Sequence, residues 1–161
     1  MLKRIFLAAA ATLIAAPSYA TVEVTYVNPE RFTDAANQRW EMQGTLDALA
    51  QHMRRVGERY IAPNETLKIE VLDLDLAGWA RFGGRAPNEV RTVRGAADFP
   101  AMKLRYTLQS PGGQARSGEA DLSDMDYQNH GLVTKGASEP YYYEKRMIED
   151  WMRSTFAERS R

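Results

Sequence analysis

Between Leu67 and Gly78 the chain reads Leu-Lys-Ile-Glu-Val-Leu-Asp-Leu-Asp-Leu-Ala-Gly, which begins as a buried strand and ends on two aspartates two residues apart. Strand side chains alternate between faces. An uninterrupted strand therefore puts Ile69, Val71, Asp73 and Asp75 on one side and Leu72, Leu74 and Leu76 on the other. The first of these faces turns from apolar to acidic along its length. Two carboxylates so placed stand roughly 6 to 7 Å apart, and at an effective dielectric of about 20 they repel by about 2.5 kcal/mol when both are ionised. Any fold built on this strand has to supply them with a partner: arginine, water or a cation.

The flanking sequence says what the strand packs against. Val22-Glu-Val-Thr-Tyr-Val27 alternates apolar and polar residues and is mostly β-branched or aromatic, the pattern of a half-buried strand, and Asn28-Pro29 stops it. Thr33-Asp34 can cap a helix. Met42, Leu46, Leu49, Met53, Val56 and Tyr60 then recur at alternating spacings of four and three, which predicts one apolar stripe on a helix over Arg39 to Tyr60. Burying six such side chains is worth on the order of 10 kcal/mol before chain entropy is charged against it. Pro63-Asn64 ends the helix and leads into the Leu67 strand.

Residues 79–98 are irregular, with Gly83, Gly84, Pro87 and the arginines 81, 85, 91 and 94; they read as an exposed loop containing a short strand near Val90 to Val93. Met102 to Leu108 and Ala115 to Leu122 flank Ser110-Pro-Gly-Gly113 and predict an antiparallel hairpin, closed by the acidic stretch Asp121 to Tyr127. Pro140 opens a last helix with Tyr143, Met147, Ile148, Trp151 and Thr155 on one side. Glu144, Lys145, Arg146, Glu149 and Asp150 are expected on the other. This order predicts an α+β domain: a mostly antiparallel sheet of about four to five strands covered by two helices. If the first helix returns the chain to a parallel strand, that crossover is right-handed.

The first twenty residues read as an export signal. Lys3 and Arg4 precede an apolar run from Ile5 to Ala16, and Ser18-Tyr19-Ala20 is a small-x-Ala cleavage site. The run falls short of the ~20 residues that span a bilayer, so no transmembrane span is expected. The chain contains no cysteine, which excludes both disulfides and a cysteine-linked lipid anchor. The remaining 21–161 form one domain in size, with 19 basic and 21 acidic residues once Lys3 and Arg4 are removed from the totals of 21 each, a net charge of −2. That balance argues against a nucleic-acid partner.

Motifs for chemistry are sparse. His52 and His130 without cysteine do not make a zinc site, and no nucleophile elbow, Walker loop or His-Glu-x-x-His is present; no cofactor and no metal are expected. What stands out is a set of charged and aromatic residues: Asp73, Asp75, Asp124, Asp126, Trp79, Arg81, Phe82 and Arg85. The arginines can neutralise the aspartates; carboxylates and loop carbonyls can instead hold a hard cation such as calcium; and Trp79 and Phe82 with Arg81 and Arg85 can hold an anionic or sugar-like ligand by stacking and charge-assisted hydrogen bonds.

Val27-Asn-Pro-Glu-Arg-Phe-Thr-Asp34, Asp73-Leu-Asp-Leu-Ala-Gly78, Leu122-Ser-Asp-Met-Asp-Tyr127 and Tyr143-Glu-Lys-Arg-Met-Ile-Glu-Asp-Trp151 together resemble the exported bacterial proteins grouped as domain of unknown function 3016. The resemblance covers nearly all of the chain after the signal. It implies a secreted, single-domain proteobacterial protein and supplies no substrate or catalytic residue. The expectation is a soluble periplasmic domain that binds another envelope protein or a small anionic or sugar-like ligand. The alternative is a small envelope hydrolase, or a cation-dependent enzyme, using Asp73/Asp75 and Asp124/Asp126.

Cleavage after Ala20 is directly measurable: the intact mass of protein recovered from the periplasm should correspond to a chain beginning at Thr21. Recovery of a species that retains residues 1–20 would instead indicate an uncleaved anchor.

Overall fold

The computed structural model describes residues 19–36, 39–81, 90–92, 97–129 and 139–157. The expectations for residues 1–18, Phe82, Arg85, Arg94 and His130, and for the side chain of Arg81, lie outside the described residues. In chain order the elements are β1 (Thr21–Tyr26), a 3-10 turn (Pro29–Arg31), α1 (Arg39–Tyr60), β2 (Thr66–Asp75), β3 (Trp79–Arg81), β4 (Val90–Thr92), β5 (Ala101–Gln109), β6 (Arg116–Ser123) and α2 (Tyr142–Phe156). Four strands form one sheet in the order β1-β2-β5-β6, and β3 with β4 makes a separate two-stranded ribbon. β1 and β2 are parallel, joined through α1, while β2–β5 and β5–β6 are antiparallel. The α+β architecture, the mostly antiparallel sheet and the two covering helices follow the sequence patterns.

One face of the sheet carries the core. Val22 and Val24 of β1, Leu67, Ile69 and Val71 of β2, and Met102, Leu104 and Leu108 of β5 are buried. Against them α1 lays Leu46, Leu49, Met53 and Val56, with Met42 and Tyr60 at the margin, as the stripe predicts. From α2 come Met147, Ile148, Trp151, Met152 and Phe156. Tyr106, Trp151 and Phe156 meet edge to face with ring centroids 5.5 to 5.8 Å apart. Gly118 makes room for this cluster: a Cβ there would lie 2.7 Å from the Tyr106 hydroxyl oxygen.

The opposite face is polar and laced by cross-strand pairs, Lys68 with Glu23, Arg105 with both Glu70 and Glu119, and Thr107 with Ser117. These groups are exposed, so each pair contributes at most about 1 kcal/mol.

Two features of the structure differ from the sequence pattern. The register of β2 against β5 shifts between Val71 and Asp73, so that Leu72 is the extra residue of a bulge. The bulge exchanges the two faces: Leu74 and Leu76 continue the core face begun by Ile69 and Val71, and Asp73 and Asp75 pass to the other side, with Asp73 opposite Lys103. An unbroken alternation would have driven the carboxylates into the core. Glu144 is also not on the outer face of α2. It lies three and four residues before Met147 and Ile148, within their stripe, and is only 3% exposed.

Leu49 is fully buried and Trp151 nearly so, whereas Gln51 is exposed. Leu49→Ala should cost about 2 to 5 kcal/mol and Trp151→Ala about 3 to 5 kcal/mol, with Gln51→Ala within about 0.5 kcal/mol of wild type. Urea melts read these differences, and equal small losses for all three would refute the assigned helix phase.

Candidate functional site

The charged residues converge where β2 runs out. After β1, Asn28 takes a left-handed conformation (φ 53°), the 3-10 turn follows, and Thr33-Asp34 comes back alongside β2. Asp34 N–H donates to Leu74 O at 2.9 Å, and Leu76 N–H donates to Asp34 O at 3.0 Å. Thr33 and Asp34 therefore extend the β1 side of the sheet by one bridge; helix capping, the role their sequence suggests, is not what they do.

Asp73 faces this returning segment. Its Oδ1 accepts from Thr33 N–H at 2.7 Å and from Leu74 N–H at 2.9 Å, and its Oδ2 accepts from the Thr33 hydroxyl at 2.8 Å. Asp73 thus takes three hydrogen bonds, two of them from Thr33, a residue outside the arginine-rich stretch.

Gly78, at φ 76°, turns the chain out of β2 in a conformation that favours glycine, and its N–H donates to Asp98 O at 2.9 Å. The β3–β4 ribbon then returns Arg91 to the strand end it has just left. Arg91 Nε donates to Ala77 O at 3.0 Å, and Nη2 lies 3.2 Å from Leu76 O, 2.7 Å from Gly78 O and 2.5 Å from Asp34 Oδ2. From α2, Glu144 Oε1 accepts the Ala77 N–H at 2.7 Å. Three consecutive carbonyls are thus held by one guanidinium and the amide among them by one buried carboxyl. Among the described residues, Arg91 is the arginine of this stretch that reaches the strand end, and it forms an ion pair with Asp34.

The carboxyls around Arg91 feel one another. Burial pushes Asp75 above the usual carboxylate range, Asp34 and Asp73 push it further, and Arg91 opposes them. Burial also raises Glu144, against the Ala77 N–H and Arg91.

The second Asp-x-Asp pair lies at the same end of the sheet, since Ala101 is paired with both Asp75 and Ser123. It is organised as a turn: Asp124 N–H donates to Pro100 O, and Asp126 accepts from Asn129 through its side chain at 2.6 Å and its carbonyl at 2.9 Å. Among the described residues, no three His, Cys, Asp or Glu side chains form a group that could hold a metal ion. His52 is buried, with Nε2 3.0 Å from Lys145 O, and burial lowers its pKa; it ties α1 to α2.

Next to Asp34 opens a cleft of about 300 Å³ whose walls include Pro29, Phe32, Met42 and Trp79, with Glu30 and Asp34 as its charged groups among the described residues. Phe32 is seated edge to face on Tyr26 at 6.2 Å. Trp79 is 60% exposed. Of the residues singled out by sequence, the structure brings Asp73, Asp75 and Trp79 to this end of β2. Asp34 and Glu144 are additions; Glu144 carried a readable signal in its spacing to Ile148, whereas nothing local marks Asp34 as a neighbour of Asp75.

Residues 20–154 match the family described as "Protein of unknown function (DUF3016)", and the chain belongs to that family. Among curated proteins none matches the chain. Among the described residues no helix is long and apolar enough to cross a membrane.

The raised Glu144 carboxyl gives a pH prediction. The folded state keeps a proton on Glu144 at pH values where the unfolded chain, with a glutamate pKa near about 4.3, has lost it. Stability therefore falls as pH rises from about 4.3 through the folded value. Glu144→Gln keeps an oxygen for the Ala77 N–H and removes this fall, leaving the same-signed contribution of Asp75. Glu144→Ala leaves a buried N–H without its acceptor and should cost about 1 to 3 kcal/mol. Urea melts from pH 4 to 8 distinguish the two; an unchanged pH slope in Glu144→Gln would contradict this assignment.

Proposed function

We propose that this protein is an exported periplasmic domain that acts by binding, and that it docks a basic segment of another envelope protein in the cleft beside Trp79. The observation that carries the reading is an exposed tryptophan on the wall of a concave, partly apolar cleft whose charged groups among the described residues, Glu30 and Asp34, are both acidic. Exposed tryptophans concentrate binding energy at interfaces, and an indole face beside carboxylates favours an ammonium or guanidinium group. The same charge disfavours an anionic ligand, because the described arginine at this end, Arg91, is already directed at Asp34 and three carbonyls.

Export is supported by the basic start, the apolar run and the Ala20 site, and by the position of β1, which opens at Thr21, immediately after the expected cleavage. The hydrolase alternative has less behind it: Asp73 is committed to Thr33 and Leu74, and Asp126 to Asn129, whereas a general acid or base needs a free carboxyl converging on a pocket.

The immobilised domain, beginning at Thr21, should retain an envelope protein from periplasmic extract, and crosslinking should place a Lys- or Arg-bearing segment of it at the cleft. Trp79→Ala and Glu30→Lys should each weaken retention by about tenfold or more, equivalent to about 1.4 kcal/mol, with Gln51→Ala indistinguishable from wild type. Retention indifferent to both cleft variants would sink the proposal.

A further inference from the structure

β1 is an edge strand. Thr21 N–H donates to Glu65 O and Val27 N–H to Val71 O, so the odd-numbered residues of β1 direct their backbone groups at β2. In a parallel ladder the alternate residues then point away from it: Val22, Val24 and Tyr26 each present an N–H and a C=O to the free edge. Among the described residues no hydrogen bond reaches these six groups. An exposed edge is ordinarily blunted by lysine, proline, a bulge or crowded charge. Thr-Val-Glu-Val-Thr-Tyr has none of these, and its single charge is Glu23.

The opposite edge differs. β6 carries Glu119 and Asp121 on its solvent face, and pairing with a second β6 about Ala120 would set these carboxylates against each other.

We infer that the free edge of β1 pairs antiparallel with β1 of a second copy of this chain about a two-fold axis at Val24, joining two four-stranded sheets into one of eight strands. In this register Val24 faces its own equivalent and Val22 faces the partner's Tyr26, which matches all the outward backbone groups. On the solvent face Glu23 lies opposite the partner's Thr25, so no like charges meet.

The helix above the edge obeys the same symmetry. The Tyr26 hydroxyl donates to Leu46 O at 2.7 Å, and a Cβ on Gly57 would lie 2.8 Å from Val22, so α1 runs antiparallel to β1 with its residue 51 near the level of Val24. Asp47 and Arg54 are exposed and two turns apart on one face of α1, the helix to which Tyr26 of this edge is bound through Leu46 O. They lie on opposite sides of the two-fold level. Asp47 therefore faces Arg54 of the partner subunit, and the converse pair forms with it.

This dimer is independent of what the cleft binds, and it is tested on the unliganded domain. Sedimentation velocity of the chain beginning at Thr21 should give a concentration-dependent dimer. Thr25→Glu places a carboxylate against Glu23 of the partner subunit at two symmetric positions and should weaken dimerisation by about tenfold or more. Thr25→Lys puts an ammonium there and should leave it as tight or tighter. Both variants lose the Thr25 hydroxyl contact with Ile69 O, so their thermal melts report any shared folding loss.

Amide exchange gives an independent readout: the Val22, Val24 and Tyr26 N–H groups should be protected in the dimer and exchange faster in Thr25→Glu. A wild type that stays monomeric overturns the inference, whether those amides are open or are protected by the chain itself. A dimer indifferent to the charge at position 25 also overturns it.

Discussion

β2 is hydrogen-bonded on both flanks, in parallel to β1 and antiparallel to β5, and the extra residue at Leu72 sits inside that double constraint. Before the bulge the strand feeds Leu67, Ile69 and Val71 to the core. After it the strand feeds Leu74 and Leu76 to the same core while turning Asp73 and Asp75 outward. Without the slip, two carboxylates would enter an apolar layer closed by α1 and α2, where desolvation outweighs anything a single arginine could return. The bulge thus lets one strand be core-building along most of its length and acidic at its end, and it turns Asp73 toward the Thr33 amide and hydroxyl that satisfy it.

The polar end is then closed by reach-back contacts. A strand leaving a sheet exposes backbone groups that must find partners. Here the carbonyls of Leu76, Ala77 and Gly78 take Arg91 from a ribbon that begins one residue later, and the Ala77 amide takes Glu144 from a helix more than sixty residues away. The short-range and long-range contacts meet on one peptide segment. Glu144 is buried with backbone N–H groups as its partners, Ala77 among them, and the cost of its charge is moderated by taking up a proton more readily than an exposed glutamate.

Periodicity made most of the fold legible. The four-three spacing of Met42 to Tyr60 marks α1 from Arg39 to Tyr60, and the Ser110-Pro-Gly-Gly113 turn marks the β5–β6 hairpin, because these signals are local and repeat. The bulge was not legible, since the alternation of Leu, Asp, Leu and Asp from 72 to 75 fits either face and only the pairing with Lys103 and Leu104 decides between them. The site was half legible. Paired aspartates and a nearby arginine-rich stretch announced an electrostatic problem at the end of β2 and one of its answers, Arg91, but the donors at Asp73 come from Thr33, forty residues away in the chain, and leave no periodic trace. Glu144 was misplaced because helix polarity was read from residue type, where spacing from Ile148 would have put it inside.

These two kinds of contact divide the stability of the molecule unequally. The layer between the sheet and the helices is held by fully buried aliphatic and aromatic side chains, which resist local opening. Among the described residues, the end of β2 is held by hydrogen bonds to one arginine, one glutamate and one threonine–aspartate pair, and each such bond contributes about 1 to 3 kcal/mol net. Local opening should therefore begin at the end of β2, while the β1–β2–β5 ladder persists. The proposed docking surface at Trp79 would then adjust to a ligand without loosening the core, with the sheet beneath it as rigid support.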